Sequence, residues 1–150
     1  MSQLRRQIED VDAKGRFILA GNSRFTLVST VTGRRFTYRC KRWEKGEGEA
    51  RKVRYYLDVL TGPDNGGDYR KLAVLYPNGR LYRQDRHPGA FGPSAQSWVA
   101  LDFLFNANGI SDPRVEVWHE GSCGRCGRAL TVPESIESGL GPVCAAKAGT

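Results

Sequence analysis

Cys123-Gly-Arg-Cys126, followed directly by Gly127, constrains this chain more than any other stretch. Two thiolates at this spacing can grip one metal ion from a tight turn. The glycine after the second accepts the backbone angle that lets amide N–H groups point at sulfur. Cys144 follows after seventeen intervening residues, just beyond Gly141-Pro142. Thr131-Val-Pro133-Glu134 fits a capping box with proline at the first helical position, so a short helix is predicted from about 133. Gly141-Pro142 then starts a second helical turn that carries Cys144.

A tetrahedral zinc site needs a fourth ligand. His119 is the best candidate, four residues before Cys123 at the end of a predicted strand. Cys40 is its rival, but it alternates with Phe36 and Tyr38 and reads as a small buried residue. The expected Zn2+ ligands are therefore His119, Cys123, Cys126 and Cys144. A knuckle followed by a cysteine at a helix start resembles a treble-clef zinc finger. In that arrangement a fourth ligand often sits three residues after the third, where this chain has Lys147, a poor ligand when protonated. Glu120 and Glu134 are close in sequence, yet neither belongs to a His-Glu-x-x-His pattern, so the metal is expected to hold structure rather than to catalyse.

The pattern Cys-x-x-Cys-Gly-Arg, Leu130-Thr131, Pro133-Glu-Ser135 and Gly139-Leu-Gly-Pro-Val-Cys144 resembles a small zinc-binding domain of unknown function found in bacteriophage and bacterial proteins, often at the C-terminus. Upstream, Phe25-Thr-Leu-Val-Ser, Thr32-Gly-Arg-Arg-Phe-Thr-Tyr38 and Val59-Leu-Thr-Gly-Pro-Asp-Asn65 also look like phage proteins that end this way. The resemblance implies a phage or prophage origin and a metal site. It implies no activity.

The chain has 150 residues, enough for one compact domain and a small satellite. It contains no apolar run of about 18 residues, and its N-terminus lacks the apolar centre of a signal peptide. Reduced cysteines, residence in the cytoplasm of a bacterial host and no membrane contact are expected.

Alternation of apolar and polar residues predicts strands over Phe25–Ser29, Arg35–Lys41, Lys52–Val59, Leu72–Tyr76, Arg80–Arg83 and Val115–Trp118. Pro77-Asn-Gly79 reads as a tight turn. Leu4, Ile8 and Val11 fit one side of a short helix. Ser94 reads as an N-cap, with Trp98, Leu101, Leu104 and Phe105 at helical spacing and Asn108-Gly109 as the stop. The fold expected is α+β: an antiparallel sheet of about five strands with one main helix, plus a C-terminal treble-clef-like zinc module. Its parts are a helix or tail at 1–16, an α+β domain at 17–118 and a zinc-binding module at 119–150.

The net charge of +7 is uneven. The first 60 residues hold 14 Lys and Arg against 7 Asp and Glu, and the remaining 90 are balanced. Arg35, Arg39 and Lys41 share one face of their strand, and Lys52, Arg54 and Tyr56 share one face of the next. If those faces coincide they make a basic surface with an aromatic for phosphates and stacked bases. No phosphate loop, dinucleotide fingerprint, calcium loop or catalytic triad is spaced correctly. A non-enzymatic zinc protein that binds DNA or RNA is the leading expectation. The alternative is a phage inhibitor or adaptor that binds a host defence protein or nucleoprotein complex.

Overall fold

A computed structural model describes residues 6–63, 67–84, 96–130 and 139–141. The elements are β1 (Arg6–Ile8), α1 (Val11–Ile18), β2 (Asn22–Ser29), β3 (Arg35–Lys45), β4 (Lys52–Leu60), β5 (Tyr69–Leu75), β6 (Leu81–Arg83), α2 (Gln96–Asn106) and β7 (Val115–His119), with 3₁₀ turns at Gly48–Ala50 and Gly109–Ser111. All strands lie in one antiparallel sheet, in the order β1-β7-β2-β3-β4-β5-β6.

Period-two alternation sorts the sheet into two faces. Ile8, Val117, Leu27, Phe25, Tyr38, Cys40, Leu57, Val59, Ala73, Leu75 and Leu81 form one buried cluster with Phe17 and Ile18 of α1 and Leu101 and Leu104 of α2. Both helices thus cover the same face. The register Leu57↔Ala73 shifts to Asp58↔Lys71, leaving Leu72 as the extra residue of a bulge. The bulge explains how Leu72 and its neighbour Ala73 can both be buried.

Local chemistry fixes each helix. Asp10 caps α1 by accepting from the Ala13 N–H at 2.9 Å. The Ser23 hydroxyl donates to the Ile18 carbonyl at 2.7 Å and holds the corner into β2. Lys14 is buried over most of its length, and its ammonium donates to the Ile110 carbonyl at 3.4 Å. Tyr38 anchors α2 by donating from its hydroxyl to the Ser97 carbonyl at 2.8 Å. The Asn106 amide pairs with both backbone groups of Leu81 and so acts as a short substitute strand beside β6. Asn108 ends α2 in the left-handed region at φ 55°, as the Asn-Gly signal predicts.

The predicted fold class needs correction. The described residues form seven strands in one antiparallel sheet with two short helices, rather than about five strands with one main helix. The extra edge strand β1 has only three residues, of which Ile8 alone is apolar, so it gives almost no alternation to read. Its helix begins at Val11, where Asp10 caps it, and does not include Ile8. No treble-clef-like zinc module appears among the described residues, in which the cysteine knuckle continues directly from β7. The predicted cap at Ser94 and the helices around 133 and Cys144 lie outside the described residues. Two predicted boundaries fall inside elements, since α1 runs through 16/17 and β7 through 118/119.

Candidate functional site

The knuckle is a tight hairpin growing from the end of β7. Ser122 and Ala129 form a bridge, the Cys123 N–H donates to the Arg128 carbonyl at 2.8 Å, and the Leu130 N–H donates to the Gly121 carbonyl at 3.0 Å. Gly127 closes the turn with φ 78°, a conformation open to glycine. Its N–H donates to the Cys123 carbonyl at 2.9 Å. The Cys123 sulfur accepts N–H bonds from Arg125 at 3.4 Å and Gly141 at 3.3 Å. Burial pushes the Cys123 thiol up, but hydrogen bonds from the Gly141, Cys126 and Arg125 amides and from the Cys126 side chain outweigh it and bring the pKa to about 7. Cys126, by contrast, is exposed.

His119 is fully buried, and its ring lies 6.0 Å from that of Phe17. Its Nδ1 accepts from the Gly121 N–H at 3.0 Å, and this bond fixes a turn where Gly121 has φ 87°. A neutral ring in that arrangement carries its proton on Nε2. His119 therefore becomes a metal ligand through Nδ1 only if it gives up the Gly121 bond. Cys40 faces the main core, 0% exposed; burial first, then the Asp58 charge, pushes its thiol far up, which leaves it a poor ligand. Cys144 lies outside the described residues. Among the described residues, no three His, Cys, Asp or Glu side chains converge as a metal site.

The other predicted site lies on the sheet face opposite the helices. Register sets the two strands side by side: Lys41 pairs with Tyr56, and Arg39 with Asp58. Arg35, Arg39, Lys41, Lys52, Arg54 and Tyr56 all fall on this face by alternation, but not in one cluster. Arg35 sits opposite Val28 near one end of the sheet, and Lys52 opposite Lys45 near the other. Arg39 is neutralised by Asp58, which accepts from its guanidinium at 2.8 Å in a half-buried pair. The same guanidinium stacks 4.5 Å over the Tyr69 ring. Burial is the main cause that pushes the Tyr69 phenol up to about 12, partly countered by Arg24.

Arg54 lies over two rings, Trp43 at 5.6 Å and Tyr76 at 5.2 Å. Trp43 meets Tyr56 edge-on at 6.5 Å, and Tyr76 meets Tyr82 edge-on at 5.4 Å. Beside them opens a hollow of about 860 Å³ whose lining includes Arg54, Tyr56, Lys71, Tyr76, Tyr82 and Gln84. Sequence reasoning missed Trp43, Lys71, Tyr76, Tyr82 and Gln84. Val74↔Tyr82 and Tyr56↔Val74 put these strands side by side, and only the Pro-Asn-Gly turn hinted at that pairing.

Residues 116–149 match a family of unknown function, DUF6011. The match begins on β7 and takes in His119, Cys123, Cys126 and Cys144. No curated protein and no solved structure matches the chain. No helix among the described residues is long and apolar enough to cross a membrane.

Proposed function

We propose that this protein binds single-stranded DNA or RNA through the sheet face opposite its helices, as a non-enzymatic phage-type protein whose C-terminal knuckle binds zinc. The observation that carries the reading is the clustering of Lys41, Arg54 and Lys71 with Trp43, Tyr56, Tyr76 and Tyr82 on one side of β3–β6. Cations track phosphates, and exposed rings stack on unpaired bases. Tyr82, 46% exposed, already offers such a surface.

Cys123 and Cys126 suit zinc by their chemistry. The N–H bonds to the Cys123 sulfur favour its thiolate, the form that ligates. Cys144 would be the third ligand, and His119 the fourth once released from Gly121. A bound zinc would supply a cross-link that holds the end of β7. The resemblance of the cysteine pattern to phage proteins supports both the site and that origin, and the DUF6011 match covers the same cysteines without adding a function.

Titration of a labelled single strand at several salt concentrations tests the reading, alongside metal analysis of the same protein. Binding that weakens steeply with salt, with about one zinc per chain, supports it. Absence of binding at low salt removes it.

A second reading has its own observation. An apolar groove of about 370 Å³ runs between α2 and the β2–β3 turn, where Val31 is 72% and Val99 44% exposed. Such a groove suits a host protein bound by an inhibitor or adaptor. A nuclease-resistant protein partner, retained by variants of the basic face, would favour this reading.

A further inference from the structure

The hollow on β4–β6 offers more than positive charge. Tyr76 and Tyr82 form an edge-to-face corner, and Val74, 8% exposed, sits between Tyr56 and Tyr82 in register. Gln84 lines the same hollow, and its Oε1 is buried without a hydrogen-bond partner among the described residues. Leaving that acceptor buried and unpaired costs free energy, which turning it toward a donor recovers. The terminal amide turns about a soft torsion, which can present the carbonyl to the hollow while the strand stays fixed. An unpaired nucleobase brings a flat face for a tyrosine and N–H donors on its Watson–Crick edge. Arg54 and Lys71 flank the hollow, where phosphates on either side of the base would lie.

We propose that this hollow is a pocket for one unpaired nucleobase, stacked on Tyr82, with the Gln84 amide accepting from its Watson–Crick edge. The proposal rests on the nucleic-acid reading above and adds a specificity-determining residue to it. A base in a duplex has its edge occupied by its partner and cannot enter.

The test titrates short fluorescein-labelled single strands into the full chain: homopolymers of each of the four bases, and an abasic strand with the same phosphates. Base-bearing strands bind about tenfold or more tighter than the abasic strand. Affinity differs among the bases, and Gln84→Leu narrows that spread while leaving the salt dependence unchanged. Tyr82→Ala lowers the base-bearing strands toward the abasic one. Equal affinity for abasic and base-bearing strands, with Lys41→Ala still weakening both, overturns the pocket and leaves the nucleic-acid reading standing. No binding of any strand at low salt overturns both. The comparison of strands on the unaltered protein does not depend on any variant folding.

Discussion

Gly124 sits so close to Phe17 that a Cβ placed on it would lie 2.7 Å from both the Phe17 ring and the Phe17 carbonyl oxygen. Gly139 approaches the same ring from another side, where a Cβ would lie 2.5 Å away. Its carbonyl accepts from the Gly124 N–H at 2.8 Å. Phe17 thereby joins the main core to the small cluster of Cys123, Leu130 and Leu140. The knuckle is packed onto α1 and the start of β2, where the Asn22 N–H also donates to the Gly124 carbonyl.

Phe17→Ala should therefore damage both ends of the molecule. Loss of a fully buried phenylalanine costs about 3–5 kcal/mol. Gly124→Ala should cost about 1–3 kcal/mol, because the added methyl meets backbone as well as ring. Denaturant unfolding measures both. If Gly124→Ala is as stable as the unaltered protein, the close packing is wrong.

His119→Ala separates two roles for this histidine. If Nδ1 stays with Gly121, the variant loses stability and retains metal. If Nδ1 ligates, the variant loses metal. Cys126→Ser should lose metal in either case. Metal content per chain, read with melting temperature, decides between the two.

Charge on the sheet face should not count equally. Lys41→Ala should reduce the log–log salt slope for single strands by about 0.7. Arg39→Ala should reduce it less, because Asp58 already neutralises that guanidinium. Arg39→Ala should instead destabilise the protein by about 1–3 kcal/mol, leaving a half-buried carboxylate without its partner. Parallel salt titrations and urea melts check the contrast.

Asp112 supplies the acid response near the start of β7. Hydrogen bonds from the Arg114 side chain and backbone lower its pKa from 3.8 to about 2. A carboxylate depressed on folding stabilises the folded state above its unfolded pKa and loses that contribution as pH falls through the folded one. The contribution should be full above about pH 4 and gone near pH 2, and small because the pair is exposed. A carboxyl titration followed by NMR should place Asp112 near 2, and Arg114→Ala should return it toward 3.8.

The strands with clean alternation were legible in the sequence. Phe25 and Leu27, then Tyr38 and Cys40, then Leu57 and Val59 face the core as their spacing requires. The knuckle was legible for the same local reason, since a Cys-x-x-Cys-Gly turn is specified within a few residues. The partnerships were not. Nothing local says that β7 enters between β1 and β2, or that Asp58 claims Arg39, because both depend on register set by distant strands. α1 was hidden by Lys14, Gly15 and Arg16, which dilute its apolar face, and only Asp10 and the Phe17-Ile18 pair remained as signals. Trp43, Tyr76 and Tyr82 are unremarkable singly and meet only once β3–β6 are aligned.

The last strand of the sheet to be synthesised is not an edge strand. β7 lies between β1 and β2, which precede every other strand of this sheet in the sequence, and it hydrogen-bonds to both. During synthesis the sheet can assemble from β2 to β6, but one edge of β2 stays unsatisfied until residues 115–119 emerge. Such an edge invites pairing with another chain. The cysteine hairpin emerges immediately afterwards and packs against Phe17 from the opposite end of the sequence. The segment that closes the sheet is thus followed at once by the segment that locks it, so the nascent chain has few residues to add between the exposed state and the sealed one.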